Sequence, residues 1–425
     1  MARIMIPNYI QKEFKKIINR EKISSNPNPF RKRAYKSFLK EGLPSKKLEN
    51  WKHTNLSILN KYNLKVPDIQ NRLKNNIDIS RYGFQSFNTI VIYNGRYEKE
   101  LSAIPDGVNI ESNIESTKHN DLRLIQPNKT SFDYLNTALM WDSISITISE
   151  STQVIQPLRI LFISSGSEKI MVCPRIYLNM KKSSYLTLLE QHVGDCKEYL
   201  LNETNMISID CNAKLDHIRI QNNSKATVNI CNVHVKQCND SFYSFNQFCL
   251  GSLLSRINLY VELRGKGADC SLSGLSLSNN EQHQDAFIET NHLDAHCTSS
   301  QNFKFVLKDK SSGSFIGRSI VQEKAYKTNS QQSNKNLLLS EHSIMNSDPQ
   351  LEIFTDDVKC SHGSSTGALE NDALFYIRSR GISEESAKKL LIRGFSAEIF
   401  DTLNNDLIQG RVLKDLDSWL EQGIK

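Results

Sequence analysis

With 425 residues, of which 39% are hydrophobic and 23% charged, the chain has an ordinary globular composition and is long enough for more than one domain. Its net charge of +7 is modest, and no window approaches the roughly 18 to 20 apolar residues that span a bilayer. Nine cysteines without a C-x-x-C pair argue against a disulfide framework and favour a reducing, cytoplasmic setting.

Residues 1–88 predict an N-terminal helical domain. Helical stretches run from Tyr9 to Arg20 and from Phe30 to Glu41, separated by the breaker run Asn26 to Pro29. Basic residues crowd this zone between Lys12 and Lys47. Because no aromatic stacking motif or nucleic-acid-binding fold accompanies them, a solvated helix face is favoured over nucleic-acid or membrane-surface binding.

Residues 89–365 predict a β-rich core in which strand-like segments follow one another every 10 to 20 residues or so. A sandwich, a barrel and a β-solenoid all remain open. More than 200 residues without long loops favour the solenoid, although no crisp internal repeat is visible. The segments are Ser143 to Ser149, Arg159 to Ile163, Arg175 to Met180, Tyr185 to Leu189, Leu215 to Ile220, Thr227 to Val235, Ile257 to Leu263 and Phe303 to Leu307.

Residues 366–425 predict a C-terminal helical domain. Ser383-Glu384-Glu385-Ser386 is a helix N-terminal capping pattern, followed by an apolar stripe at helical spacing. A second helix is expected from Ser396 to Leu403 and a third from Leu413 to Glu421. Since a solenoid end needs a cap, capping is the simplest role for these helices. The stripe consists of Ala387, Leu390, Leu391 and Phe395.

Cys360 and His362 are the leading candidates for metal chemistry. If Thr355 to His362 is extended, the two side chains leave the same face of the strand, ahead of a glycine-bounded polar turn from Gly363 to Gly367. A thiolate and an imidazole suit iron, zinc or copper, but a closed site needs about four ligands. The rest must come from another segment, another chain or the bound species. On spacing alone, a packed cysteine and a loop histidine are the commoner outcome.

Other groups of candidate metal-ligating or catalytic residues have less support in the sequence. The densest soft-ligand cluster is His283, His292, His296 and Cys297, but its surroundings look extended, and an i, i+4 pair does not converge in a strand. Cys231, His234 and Cys238 are expected in the core or on the surface of the solenoid, and Gly265 to Gly267 is expected to be a turn. No side chains have a recognisable catalytic spacing, so we expect no enzymatic activity.

A series of short motifs runs in order from about residue 30 to about residue 400. The motifs are Gly42 to Thr54 (GLPSKKLENWKHT), Asn94-Gly95, Phe132 to Thr137, Asp285 to Cys297, Phe315 to Arg318, Gln331 to Asn334, Leu337 to Ser340, Pro349 to Ile353 and the run from Cys360 through Arg378-Ser379-Arg380-Gly381-Ile382 to Phe395. Together they resemble the SufB/SufD family of iron-sulfur cluster assembly proteins, and Gly42 to Thr54 is most similar to the SufD branch. One departure is Ser364-Ser365, where the family commonly has alanine and then threonine. The side chains are small in both cases.

The resemblance implies a right-handed parallel β-helix between the two helical domains. It implies a non-catalytic scaffold subunit that pairs with the paralogue SufB through the β-helices and binds the ATPase SufC through the C-terminal helices. It further implies that a transient iron-sulfur cluster or iron is handled at the SufB interface by His362 and Cys360. A homodimer is also plausible, while flavin binding has no support in the sequence. The residues assigned to partner binding are Phe375, Tyr376, Arg378, Arg380, Gly381 and Phe395.

A polysaccharide-processing β-solenoid enzyme is the competing hypothesis. Such an enzyme needs carboxylates grouped on one solenoid face and an aromatic-lined groove. Only 8% of the residues are aromatic, and no Asp/Glu group repeats at a coil spacing. The assembly hypothesis is therefore favoured, and co-purification with an ATPase and a paralogue would distinguish the two.

Overall fold

The computed structural model describes residues 6–21, 29–67, 77–112, 130–166, 169–194 and 198–422. Its main feature is a parallel β-solenoid of about eight turns with helices before and after it in the chain, which confirms the predicted mainly β class, the solenoid and the flanking helices. The α-helices in these ranges are α1 (Asn8–Glu21), α2 (Pro29–Glu41), α3 (Ser131–Leu139), α4 (Asn371–Arg378), α5 (Glu384–Phe400) and α6 (Asp406–Glu421). Short 3-10 helices occupy Glu49–Trp51, Leu56–Lys61, Ile79–Tyr82 and Lys99–Leu101.

The strands form two ten-stranded sheets, and from β7 onward consecutive strands alternate between them. One sheet has the order β2-β1-β5-β8-β10-β12-β14-β16-β18-β20, and the other runs β19-β17-β15-β13-β11-β9-β7-β4-β3, with β6 beside β9. The strands are β1 (Asn88–Tyr93), β2 (Arg96–Tyr97), β3 (Val108–Ser112), β4 (Ser143–Ile148), β5 (Gln153–Ser164), β6 (Ile170–Val172), β7 (Arg175–Met180), β8 (Tyr185–Gly194), β9 (Tyr199–Ile209), β10 (Lys214–Gln221), β11 (Thr227–Gln237), β12 (Phe242–Cys249), β13 (Leu254–Leu263), β14 (Asp269–Ser278), β15 (His283–His292), β16 (Thr298–Leu307), β17 (Ser312–Val321), β18 (Thr328–Leu338), β19 (Ile344–Ile353) and β20 (Val358–Gly367).

The core lies between the two sheets. In β4 the inward residues Ile144, Ile146 and Ile148 are buried and alternate with serine and threonine, as the strict sequence alternation predicts. Later coils add residues from both sheets, such as Phe245 and Ile257, to the same apolar cluster. Within this core each coil buries its apolar side chains against those of the neighbouring coils, so the stack is stable as a whole and not coil by coil.

One corner of the solenoid repeats a left-handed backbone conformation. Its residues are Ser151, Ser183, Asn212, Asp240, Gly267, His296 and Lys327, all with positive φ and spaced 27 to 32 residues apart. Each donates its backbone N–H to a carbonyl of the following coil; for example, Asn212 donates to Asn239 and Asp240 to Lys266, both at 3.0 Å. The structural repeat therefore lies in the backbone conformation, while the residue type varies from coil to coil.

The two ends of the solenoid differ. At the N-terminal end, the short strands β2 and β3 pair antiparallel with β1 and β4 and close both sheets. At the C-terminal end, β19 pairs with β17 and β20 pairs with β18, and within the part of the chain described no strand covers their outer edges. The last coil therefore presents two open strand edges, which we call the open end.

The N-terminal motif docks on the sheet that ends in β19. Arg256 stacks over the Trp51 ring at 3.9 Å and donates a 2.6 Å hydrogen bond to the carbonyl oxygen of Asn50. Lys52 forms a 2.7 Å ion pair with Asp348 of β19. The Gly42 to Thr54 motif therefore contacts β19 at the open end.

Two expectations about local structure were wrong, and one helix was not predicted. Helix α3 interrupts the predicted β zone, because Thr130 and Asp133 form a capping box at its start. The predicted turn from Gly363 to Gly367 is strand, since these residues pair in register with Ser333 to Leu337 of β18. The predicted helix from Ser396 to Leu403 is the end of α5, because the Ser396 hydroxyl bonds the Ile392 carbonyl inside the helix instead of capping a new one.

Other local predictions were confirmed. Ser383 is the N-cap of α5 and accepts a hydrogen bond from the Ser386 N–H at 3.3 Å. Gly265 to Gly267 lies in the turn between β13 and β14. Within the described ranges, every helix is too short or too polar to cross a bilayer.

Candidate functional site

Cys360 and His362 lie on β20, the edge strand of the open end. In register they stand opposite Ser330 and Gln332 of β18. Residues two apart in a strand share a face and are separated by about 6.6 Å, so both side chains project on one side of the last coil. The extended conformation considered for Thr355 to His362 is present from Val358 onward, so both Cys360 and His362 lie within the strand.

The two side chains differ in accessibility. Cys360 is half-buried, and burial raises the pKa of its thiol, although a backbone hydrogen bond from Ser330 opposes the shift. His362 is exposed, as are the residues that follow it to Gly367. An accessible imidazole beside a protonated thiol can accept a metal ion, which would displace the thiol proton on binding.

The ligand set at this position is incomplete within the described part of the chain. Groups of three or more metal-donor side chains occur there at two places, and neither includes Cys360 or His362. Two ligands fall short of the roughly four that a closed site requires. A closed metal site at Cys360 and His362 therefore requires donor atoms from outside the described residues.

The open end also exposes apolar side chains. Ile344 and Ile353 begin and end β19 and are 58% and 42% exposed, and Phe354 directly after the strand is 56% exposed. Ser364 of β20 donates a 2.7 Å hydrogen bond to Ser347 of β19, which links the two edge strands. A partner that pairs with these edges would cover both the backbone and the apolar groups.

The residues predicted for partner binding fall into two environments. Helix α4 has no buried residue, and Phe375 and Tyr376 on it are 74% and 58% exposed. Arg380 stacks over the Tyr376 ring at 4.4 Å, and Arg378 and Gly381 are also exposed. These five residues, Phe375, Tyr376, Arg378, Arg380 and Gly381, form what we call the α4 surface.

Phe395 is different, because it lies half-buried on α5 against the solenoid. Lys304 of β16 donates a 2.8 Å hydrogen bond to its carbonyl oxygen. Phe395 also lines a cleft of about 360 Å³ between the end of β20, α4 and α5, together with Leu369, Ala373 and Leu391. The cleft joins the α4 surface to the open end.

The histidine-rich segment does not form a metal site. His283 contacts Thr54 at 3.2 Å and Ser312 at 2.8 Å, whereas His292 is buried and bonds Ser299 at 2.9 Å. His296 is an exposed corner residue with positive φ, so its side chain leaves the coil in another direction from His292. Cys297 is buried, and burial raises the pKa of its thiol to about 11.

Two groups of donor side chains were not anticipated from the sequence. Glu190, His192 and Glu203 are fully buried on β8 and β9, and Asp210, Cys211 and Cys238 are half-buried at the left-handed corner. Glu190 and Glu203 come from opposite sheets, and Cys211 and Cys238 come from successive coils, so the strand order and coil register would have been needed to find the two groups. Cys238 was expected in the core or on the surface of the solenoid, and its partners Asp210 and Cys211 were missed.

The buried group already holds a cation of its own. Arg219 of β10 donates a 3.0 Å hydrogen bond to Glu203, and its Nε lies 3.5 Å from Glu190. Burial raises the pKa of Glu190, but His217, His192 and Arg219 lower it more, so the net pKa lies well below the usual range. Burial lowers the pKa of His192, which stacks on Phe162 at 4.3 Å. A buried network of ion pairs and hydrogen bonds of this kind, with members on β8, β9 and β10, favours one register of the three strands.

Comparison with known proteins covers nearly the whole chain. Residues 162–395 match the family model described as the SUF system FeS cluster assembly, SufBD core domain, and residues 8–160 match the SufBD protein N-terminal region. The chain is 26% identical to the iron-sulfur cluster assembly protein SufD of Escherichia coli over 94% of both chains. It is 30% identical to an iron-sulfur cluster assembly SufBD family protein of Synechocystis, covering 87% of this chain and 86% of the relative. It is 28% identical to the chloroplastic protein ABCI7 of Arabidopsis thaliana, covering 85% of this chain and 79% of the relative.

Proposed function

Because the chain belongs to the SufBD family of SUF-system iron-sulfur cluster assembly proteins, we propose that it is a non-catalytic scaffold subunit of a complex with SufB and SufC. In this complex it helps to acquire iron, to assemble a nascent cluster and to pass the cluster to apoproteins. The cluster is the cargo of the reaction. The observation that carries the proposal is the presence of Cys360 and His362 on an uncovered edge strand.

The first step is pairing with SufB at the open end. The free edges of β19 and β20 offer backbone donors and acceptors, and Ile344, Ile353 and Phe354 offer apolar area beside them. A paralogue with a β-helix of its own has matching strand edges, so two solenoids can join end to end. The same reasoning allows a homodimer when SufB is absent.

The second step is ligation at the interface. His362 is the exposed donor on β20, and Cys360 is a second donor or a neighbour that orients the first. A thiolate from SufB completes the set, which accounts for the shortage of ligands among the described residues. Pairing and cluster assembly are then one event, because the site exists only when both subunits are present.

The third step is coupling to the ATPase SufC through the α4 surface. Phe375 and Tyr376 have the exposed aromatic character of interface anchors, and Arg380 extends the patch with positive charge. Helix α5 connects this surface to β16 through Phe395 and Glu398, which both contact Lys304. Movement of SufC would therefore reach the solenoid near the open end.

Co-expression with SufB and SufC tests the proposal. We expect His362→Ala to keep the complex intact but to lose most of its iron and sulfide under anaerobic conditions. His342→Ala removes an exposed histidine just before β19 and serves as the matched control, for which we expect unchanged cluster content. Equal iron and sulfide in both variants, with intact complexes, would exclude His362 from the assembly site.

A further inference from the structure

Two half-buried thiols lie on consecutive coils at the left-handed corner. Cys211 directly precedes the corner residue Asn212, and Cys238 precedes the next corner residue, Asp240, by two positions. Backbone hydrogen bonds hold the two turns together: the Cys238 N–H donates to Ile209 at 2.9 Å and the Asn212 N–H to Asn239 at 3.0 Å. The spacing of the thiols is therefore fixed by the stacking of the coils, which is about 4.8 Å.

A carboxylate completes the group. The donor atoms of Asp210, Cys211 and Cys238 all lie within 4.8 Å of one another. One oxygen of Asp210 accepts a 2.7 Å hydrogen bond from the Cys211 N–H, which holds the carboxylate beside the thiols. In a tetrahedral site with metal–sulfur bonds of about 2.3 Å, donor atoms are about 3.5 to 3.8 Å apart, so small side-chain rotations bring the three donors onto one ion.

Electrostatics favours a cation at this position. The donor atoms of Asp210, Cys211 and Cys238 lie within 4.8 Å of one another, so two thiolates and a carboxylate at these positions repel one another when no cation is present. A divalent ion removes that repulsion and displaces the thiol protons as it binds.

Accessibility separates these thiols from most of the other described cysteines. Cys173, Cys249 and Cys297 are buried, and burial raises their thiol pKa values to about 12, 11 and 11. Cys211 and Cys238 reach solvent, as Cys360 does. From the coil of Cys238 to the coil of Cys360 there are four coil steps, or about 19 Å, so the two positions cannot share one ion.

We propose that Asp210, Cys211 and Cys238 form a second metal site that binds a thiophilic divalent cation such as Zn²⁺ or Fe²⁺. The two thiolates and the carboxylate supply three ligands, and a fourth position faces solvent, where a water or an exogenous ligand binds. The site needs no partner subunit, because all three donors belong to adjacent coils of one chain. It is independent of the open end and of the function proposed there.

Cobalt titration of the reduced, metal-free full chain tests the site under anaerobic conditions. In a Cys360→Ser background, which removes the thiol of the open end, we expect one equivalent of Co²⁺ to give a thiolate-to-cobalt charge-transfer band that Zn²⁺ abolishes. Adding Cys211→Ser and Cys238→Ser should remove the band and weaken binding by at least about 100-fold, since losing even an outer partner costs roughly 10- to 100-fold. Asp210→Asn should keep the band with reduced affinity.

Thiol protection gives a second measurement that does not depend on the folding of a variant. In the unmodified chain, Zn²⁺ should slow alkylation of Cys211 and Cys238 together, as followed by mass spectrometry of the peptides. A band that survives the double substitution would overturn the proposal, as would alkylation rates unchanged by Zn²⁺. A Cys211–Cys238 disulfide formed under mild oxidation, without metal uptake by the reduced protein, would instead identify the pair as a redox couple.

Discussion

The Lys304 ammonium group lies 5.0 Å from the centre of the Phe395 ring and donates a 2.8 Å hydrogen bond to the Phe395 carbonyl oxygen. The same group pairs with Glu398 at 2.6 Å, although Lys304 itself is almost completely buried. One solenoid side chain therefore binds α5 at three points. Together with Asn302, which donates a 3.1 Å hydrogen bond to Glu398, it connects the C-terminal helices to β16.

Lys304→Met should loosen α5 from the solenoid. Methionine keeps the packing volume but removes both polar contacts, and a hydrogen bond to a charged group contributes roughly 1.5 to 3 kcal/mol. We expect amide exchange in Glu384–Phe400 to accelerate by about tenfold or more, measured by hydrogen–deuterium exchange. Lys335→Met is the control, because Lys335 is half exposed and lies 3.9 Å from Glu398. Identical exchange in the two variants would contradict this role for Lys304.

Phe375→Asp should prevent binding of the ATPase while leaving the fold unchanged. Phe375 is 74% exposed, so its removal leaves no cavity in the core, whereas an interface aromatic contributes about 2 kcal/mol or more to binding. We expect affinity for SufC to fall by about 30-fold or more in a calorimetric titration. Leu407→Asp on α6, where the side chain is 58% exposed, should bind normally. An equal loss of affinity for SufC in both variants would indicate a general effect of the added charge and would contradict a specific role for Phe375.

Ile353→Lys should weaken end-to-end pairing with the paralogue. A charge on an edge strand opposes strand addition, and Ile353 stands at the end of β19. We expect the dissociation constant of the heterodimer to rise, so that dissociation on dilution begins at a higher protein concentration, as followed by analytical ultracentrifugation. Ile155→Lys is the matched control, because Ile155 is 91% exposed on β5, remote from β19 in strand order. A heterodimer unaffected by Ile353→Lys would argue that pairing uses another surface.

His292 should make the stability of the chain depend on pH. Burial lowers its pKa from 6.5 to about 4, so the unfolded chain binds a proton between these values that the folded chain does not. Stability is therefore lost as pH falls from 6.5 towards 4, by about 2 kcal/mol at pH 5 and about 3 kcal/mol at pH 4.

His292→Gln removes this titration and keeps a side chain that can bond Ser299. Thermal unfolding at several pH values should show wild type losing more stability than the variant below pH 6.5. His342→Gln replaces an exposed histidine, and the stability of this variant should vary with pH as that of wild type does. Parallel pH profiles for wild type and His292→Gln would show that His292 does not titrate in this way.

The strands were the most predictable part of the structure. Arg175–Met180 was predicted to the residue, because a buried alternating segment between turn residues has few other stable conformations. Helix α3 was missed, since nine residues with a capping box carry little periodicity of their own. The corner repeat was invisible for a related reason: Ser183, Asn212, Asp240 and His296 share a backbone angle but not a residue type, and the preference of Asn, Asp and His for positive φ is too weak to mark the corner in the sequence.

The candidate site was predictable in part. The pair of Cys360 and His362 could be chosen from spacing and family resemblance, but its position on an uncovered strand depends on the sheet order. The turn expected after His362 was wrong, because glycine and serine residues often mark turns and here occupy an edge strand instead. Asp210, Cys211 and Cys238 could not be grouped, since 27 residues separate the two thiols and the coil length was unknown.

The ion pair of Lys52 with Asp348 joins residues 296 positions apart, and this sets an order of events during synthesis. Lys52 leaves the ribosome before any solenoid coil has been made, whereas Asp348 emerges when nearly all of them have stacked. The N-terminal motif therefore has to wait for the last coil before its contacts are complete. A chain released early would lack both this ion pair and the strand that carries Cys360 and His362, so a truncated product would have neither the completed N-terminal contacts nor the candidate site.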